Sequence, residues 1–460
     1  MSDAGAAAAT APPPAIARHS VAPRRRYWRT GTLALVLLLL LGGAFRLGLV
    51  SGWLAPVSVA GGSMAETLCG DHWQVTCPAC RFPYRCGAAE VPRDEQVVCP
   101  NCGQGHPLTA AATWHPGSRV TIDRWPIVVR APRQTLHRGD LVAFEQPGEP
   151  GQRAIKRLVG LPEEHLELRD GDVWVDQQPW RKSWDELRAA AIVVHDDRFR
   201  PAGDAPNEFR WRSATPEHGW RGTATGYEFD PARATAEGPH WLHFAPLATP
   251  SAGAVAQLGT PLRDLDAYNQ NLSRTLVPVT DLALRCRLRL GPSAHCLIQL
   301  DNGREILQWR WTADETLEVW QRTDGQERRL ASLPWPRRGT EPTRDDEWEW
   351  GVGQCDHQVL VAVNDRERLR LPLTLAESRS SRAGGWSIAA AGGPVWLGAP
   401  QLIRDRYYLP PRPRHPSAPN VWQLGPDEWF VLGDNPPLSV DSRDWPPGTL
   451  TSSRWIGRVP

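Results

Sequence analysis

The sequence predicts a mainly β protein of antiparallel sheets, carried on one N-terminal membrane-spanning helix. Three observations predict it. Residues 31–50, GTLALVLLLLLGGAFRLGLV, form one apolar run of about bilayer-spanning length. Short apolar runs broken by turn residues fill 118–180 and return near the C-terminus, in WFVLGDNPPLSVDSRDW. Evenly spaced alternating runs, among them DLALRCRLRL, HCLIQLD and HQVLVAVND, occupy about 275–405 and read as a β-sandwich.

The first 30 residues are a Pro/Ala-rich tail that reads as disordered. They carry Arg18, Arg24, Arg25, Arg26 and Arg29 against the single acid Asp3. That bias predicts a cytoplasmic N-terminus and places everything after residue 50 on the outer side of a cell (inner) membrane, with the lipid bilayer as a partner. Arg46 can snorkel to the interface. A removable signal peptide is the rival, since Ser58-Val59-Ala60 supplies small residues at a cleavage position. The run is longer than a usual signal core, which favours a retained anchor.

Composition narrows the function. The formal net charge of +1 implies no nucleic-acid partner. Among 52 Lys plus Arg only Lys156 and Lys182 are lysines. Arg stays protonated at working pH, whereas a buried Lys can lose its proton and act as a base. The chain has two methionines, Met1 and Met64, and Met64 follows Ser63.

Residues 56–180 read as a β core that contains a cysteine unit at 69–115. Within it Cys77 and Cys80 are followed, after 18 residues, by Cys99 and Cys102. That spacing, with Pro and Gly in the knuckles, predicts a zinc-ribbon-like structural metal site, closed to substrate and without a catalytic role. Two disulfides are the alternative in an oxidising space. Cys86 is a spare candidate ligand; Cys69, Cys286, Cys296 and Cys355 have no assignment. Residues 181–412 form an insertion that holds the sandwich and ends in a Pro-rich linker, LPPRPRHPSAP at 409–419. Residues 413–460 return to the core.

Four segments carry the chemistry. They are GGSMAETL at 61–68, RGDLVAF at 138–144, IKRLVGLP at 155–162, and Gly433-Asp434-Asn435 followed by Ser439, Asp441, Ser442 and Arg443. A Ser hydroxyl needs an adjacent base to attack, and a Lys serves only if its pKa falls to roughly 7–8. Apolar neighbours such as Ile155, Leu158 and Val159 fit that need, although strand alternation cannot place all three beside one amine.

In order and composition these four segments resemble the boxes of bacterial type I signal peptidases, enlarged here by the cysteine unit and a lectin-like insertion. The resemblance implies a signal-peptidase-type antiparallel β catalytic core. It implies Ser63 as nucleophile, Lys156 as general base, Ser439 as the hydroxyl orienting the amine, and Asp441 and Arg443 as a supporting charged pair. Gly433, Asp434 and Asn435 would form the turn carrying this group. No catalytic cofactor is implied, only the structural zinc. The substrates would be signal peptides of secreted preproteins, bound as an extended strand and cut after small residues of the Ala-x-Ala type. Three positions depart from the family pattern: Gly61, where a second oxyanion donor is often found, Glu66 in place of Pro, and Glu163 in place of Gly.

The sandwich segment has a weaker, lectin-type likeness. Trp309, Trp311, Trp320, Trp348, Trp350, Trp386 and Trp396 are candidates for carbohydrate stacking, although most such rings belong to cores. The alternative to an enzyme is a membrane-tethered, catalytically inactive scaffold on the same fold, motivated by Gly61 and the insertion. A self-cleaving Ser/Lys repressor relative is disfavoured by the membrane span.

Overall fold

The computed structural model describes residues 24–50, 52–110, 112–125, 135–201, 210–213, 218–235, 237–247, 256–312, 315–334, 347–374, 385–410 and 420–460. Residues 1–23 of the basic tail and 411–419 of the Pro-rich linker lie outside them. The chain divides into two units, at Ala55 and Pro56.

The first unit holds the helix Arg24–Val50, seven residues longer at its N-terminus than the apolar run. Its window Gly31–Gly48 has a mean hydropathy of 1.9, enough to cross a membrane by length and composition. It fits either a single-pass anchor or a signal sequence.

The second unit is built of antiparallel sheets. The core sheet orders its strands as Leu54–Ser58, Arg119–Asp123, Trp455–Val459, Leu141–Glu145, Arg153–Gly160, Glu428–Leu432 and Leu450–Thr451. Strands from both ends of the unit therefore lie side by side, although the insertion separates them in sequence. One face of this sheet packs Val142, Phe144, Leu158, Trp429, Val431 and Trp455 into one cluster. Val159 and Phe430 point to the opposite face and pack with Leu166, Leu168 and Val173 of a smaller sheet.

Between the first two strands of the core sheet sits the cysteine unit. It has a three-stranded sheet, Pro83–Gly87, His72–Thr76 and Ala112–His115, and a hairpin of Gln96–Val98 with Gly105–Pro107.

The insertion is a sandwich of two antiparallel sheets. One runs through His218–Thr223, Gly226–Ala234, Val395–Arg404, Leu282–Leu290, Trp348–Cys355, Gln358–Val363 and Arg366–Pro372, with Ile192–Asp196 also paired to Val395–Arg404. The other runs through Trp211–Arg212, His240–Phe244, Gly385–Ala391, His295–Asp301, Glu305–Trp311, Thr316–Thr323 and Gln326–Pro334. The sandwich thus reaches back to residue 192, well before the expected start near 275. Its early strands range from two residues, Trp211–Arg212, to nine, Gly226–Ala234, and carry charged residues such as Glu228, Asp230 and Arg233 that blur the alternation. Trp309, Trp311, Trp348, Trp350 and Trp386 are buried in its core, where they serve packing rather than stacking on a ligand. Trp320 and Trp396 are half-buried beneath Arg310 and Arg289 respectively.

Candidate active site

The turn after the first strand of the core sheet presents Ser63. Ala65 N–H donates to the Gly62 carbonyl at 3.1 Å and Leu68 N–H to the Met64 carbonyl at 2.8 Å. Met64 and Ala65 are buried, which anchors the turn from below. Its other supports come from residues 433–435. Asn435 N–H donates to the Ser63 carbonyl at 3.0 Å. The Asn435 side-chain amide donates to the Gly62 carbonyl at 2.9 Å, and Asp434 N–H to the Met64 sulfur at 3.4 Å.

Lys156 lies on the interior strand Arg153–Gly160, directly opposite Val142. Alternation puts its side chain on the face of Val142 and Leu158, both fully buried. Ile155 and Val159 point the other way. Lys156 itself is 3% exposed. Burial is the largest influence on its amine and pushes the pKa down to about 8, with the Asp441 carboxylate acting in the opposite sense.

Gly433 joins these parts. It follows Leu432, which pairs with Arg157, the neighbour of Lys156. A Cβ at Gly433 would lie 2.1 Å from Ser439 Oγ and 2.6 Å from the Ser63 carbonyl oxygen, so only glycine allows this approach. The structure thereby brings the Ser63 turn, the Lys156 strand and Ser439 to one place. Among the described residues no hydrogen bond joins the Ser63 hydroxyl to the Lys156 amine. Such contacts commonly tighten only around substrate.

Charged pairs hold the frame. Arg443 grips Asp441 with two bonds, Nε to Oδ1 at 2.8 Å and Nη2 to Oδ2 at 2.7 Å. Asp441 also accepts from Gly433 N–H at 2.9 Å. Burial raises the Asp441 pKa, but Arg443 and then Lys156 outweigh it, and the carboxyl stays below its usual range. Asp434 likewise accepts from Arg157 Nε at 2.7 Å and Nη2 at 2.5 Å, and from Thr67 Oγ1 at 2.5 Å. Its burial is offset by Arg406 and Arg157, which bring its pKa to about 2. Four of these partners went unnoticed in the sequence. Arg157 and Thr67 lie inside the motifs, so proximity could have found them. Arg406 donates to the Ala65 and Asp434 carbonyls, and Asn269 pairs with Asn435; both come from the insertion, with no local signal.

Cys77, Cys80, Cys99 and Cys102 form a separate cluster whose sulfurs all lie within 4.8 Å of one another. The Cys77–Cys102 and Cys80–Cys99 separations are 3.7 Å and 3.6 Å. Four thiolates on a tetrahedral Zn²⁺ at about 2.3 Å stand about 3.8 Å apart, so this set fits zinc closely. Cys86 instead donates to the Gly87 and Glu90 carbonyls, at 3.7 Å and 3.8 Å. It has no place in the cluster.

Residues 28–202 match the family model described as signal peptidase, peptidase S26. This is less than half of the chain. It covers the segments containing Ser63 and Lys156, and it supports a protease of that family at this level. No curated protein matches the chain. Among solved structures, carbohydrate-binding module CBM66 of Bacillus subtilis is similar at 8% identity, over 43% of this chain and 93% of its own, with a TM-score of 0.25. Galectin LEC-6 of Caenorhabditis elegans is similar at 12% identity, over 27% and 83%, with a TM-score of 0.21. The catalytic domain of an endo-1,3-beta-glucanase (laminarinase) from Thermotoga petrophila RKU-1 is similar at 12% identity, over 28% and 65%, with a TM-score of 0.22. Scores this low establish neither a shared fold nor a shared ligand.

Proposed function

We propose that the chain is a membrane-anchored signal peptidase, with Ser63 as nucleophile and Lys156 as general base. The observation that carries this reading is the buried Lys156 amine, lowered to about 8, on a strand whose neighbour runs into Gly433, where Ser439 and the Ser63 turn meet. The family match over 28–202 supports the reaction class.

The neutral Lys156 amine takes the Ser63 hydroxyl proton as the oxygen attacks the scissile carbonyl. The Ser63 N–H donates to the developing oxyanion. Collapse gives an acyl-enzyme, and Lys156 returns its proton to the departing amine. A water deprotonated by the same lysine then hydrolyses the ester. Ser439 orients the amine, while Asp441 and Arg443 hold the turn on which it sits. The substrate would be held as an extended strand, with small side chains one and three positions before the cut.

Helix Arg24–Val50 would anchor the chain in the bilayer, with the N-terminus cytoplasmic. The four cysteines would hold a structural zinc, which supplies folding energy to their unit and takes no part in the reaction.

The test uses the purified full chain in detergent and a preprotein with Ala-x-Ala at its leader junction. A single cut after the second Ala, lost in Ser63→Ala and in Lys156→Ala, is expected. A cut that survives either substitution would overturn the dyad.

A further inference from the structure

The insertion does more than interrupt the core: residues 266–271 of it lie between the cysteine unit and the turn that carries Ser63. Three consecutive residues face three different partners. The Tyr268 ring is 2% exposed and fills the space above two glycines. A Cβ at Gly62 would lie 2.6 Å from its Cε1, and a Cβ at Gly87 would lie 2.5 Å from the same atom. Gly62 precedes the nucleophile, and Gly87 ends a strand of the cysteine unit. Gly87 N–H donates to the Tyr268 carbonyl at 3.0 Å.

Asn269 forms a reciprocal amide pair with Asn435. Its Nδ2 donates to Asn435 Oδ1 at 2.7 Å, and Asn435 Nδ2 donates to its Oδ1 at 2.9 Å. The same Asn435 amide donates to the Gly62 carbonyl, and its backbone N–H to the Ser63 carbonyl. Both side chains are buried. Loss of one amide leaves buried donors and acceptors on the other unmatched, so the pair is all-or-none in character.

Gln270 completes the link on the far side. Its side chain closes a two-bond pairing with Val98, accepting from Val98 N–H at 3.0 Å and donating to the Val98 carbonyl at 3.1 Å. Val98 is the residue before Cys99. Ala267 packs into the apolar cluster that also contains Cys77, Cys80 and Cys99.

We propose that residues 266–271 brace the nucleophile turn. In this arrangement Asn269 and Tyr268 are positioning residues, and Gln270 couples their placement to the order of the four-cysteine unit. This rests on the peptidase reading for its kinetic consequence but not for its structural one. Asn435 fixes both carbonyls that flank the Ser63 peptide, and Asn269 fixes Asn435. Slackening that pair shifts the Ser63 oxygen relative to a lysine amine that the core sheet holds separately. A displacement of about 1 Å can lower turnover by 10²-fold. Metal loss would act on the same turn from a distance through Val98 and Gln270.

The experiment compares the full chain with Asn269→Ala, Asn269→Asp and Gln270→Ala variants. It combines hydrogen–deuterium exchange with preprotein cleavage. Asn269→Ala is expected to speed exchange at residues 61–68 at least about tenfold and to leave the sandwich strands unchanged. Its kcat should fall about tenfold or more with KM within about twofold. Asn269→Asp, which keeps the acceptor for Asn435 Nδ2, should recover part of both effects. Removal of metal from the wild-type chain with a chelator should speed exchange at 61–68, and Gln270→Ala should do so with metal retained. Unchanged exchange at 61–68 in a folded Asn269→Ala chain, or an unchanged kcat, would overturn the brace. Unchanged exchange there in Gln270→Ala would overturn its coupling to the cysteine unit. Failure of the wild-type chain to cut any preprotein would sink the peptidase reading alone, because exchange is read without activity.

Discussion

The two lysines of this chain are both buried, and their surroundings set opposite fates for them. Lys156 has apolar neighbours, and the carboxylates of Asp441, Asp434 and Asp444 act on it without a hydrogen bond and against the Arg443 guanidinium, so burial dominates and the amine falls to about 8. Lys182 donates to Asp356 Oδ1 at 2.9 Å and Asp405 Oδ2 at 2.8 Å. Burial is again the largest influence, but the two carboxylates outweigh it and hold the proton firmly. One lysine is poised to exchange a proton and the other is a structural cation. The lowered pKa of Lys156 also has a stability consequence. The folded chain carries a disfavoured charge that is fully present below pH 8 and fades between about 8 and the ordinary 10.5. A shift of that size corresponds to about 3 kcal/mol. Lys156→Met, which keeps the length without the charge, should therefore raise stability by about 3 kcal/mol at pH 7 in denaturant melts. The gain should shrink toward pH 10.5 while cleavage is abolished. A destabilised Met variant would mean that the amine has a strong partner.

At the scale of elements, two features join distant parts of the chain. The first is the Lys182 cluster, which ties the start of the insertion at 182 to its end at 405. Gln358 Nε2 donates to the Lys182 carbonyl at 2.6 Å and reinforces the tie. Removing the lysine strands two buried carboxylates, and the cost of an uncompensated buried charge is about 3–5 kcal/mol. Lys182→Met should lower the melting temperature accordingly, with much of the loss recovered in a triple variant that also carries Asp356→Asn and Asp405→Asn. The second feature is the cysteine unit. Asn101, in its second knuckle, accepts from Asp196 N–H at 2.7 Å and donates to the Phe199 carbonyl at 2.7 Å. The knuckle is therefore fastened to the insertion as well as to its own hairpin. Natively purified chain should carry one zinc per molecule by elemental analysis, and Cys99→Ser should lose it. Zinc near zero, with four titratable thiols, would remove the metal from the account.

At the scale of the molecule, what could be read from the sequence follows how local each feature is. The Ser63, Lys156 and 433–443 segments each span a dozen residues or fewer, and each holds its chemistry in adjacent positions. Their order and composition carried the resemblance, and the structure brings the Ser63 turn and the 433–443 segment together beside the Lys156 strand. The apolar run needed only length and composition. The four cysteines needed only spacing, and their sulfurs do converge. What stayed hidden depends on contacts across long separations. Asn269 meets Asn435 across 166 residues, and Arg406 meets Ala65 across 341; neither residue type signals its partner. The early strands of the sandwich were missed for a related reason. Trp211–Arg212 is two residues long, too short to show alternation, and gains strand geometry only by pairing with His240–Phe244.

Cleavage by the proposed dyad requires the amine at position 156 in its neutral form. The most direct measurement is the pH dependence of kcat/KM for preprotein cleavage by the full chain in lipid vesicles. The prediction is a rise of about tenfold per pH unit on the acid side, levelling near pH 8, where the buried amine loses its proton. A profile with no ionisation between about pH 6 and 9.5, from an enzyme that still cuts at the leader junction, would contradict it.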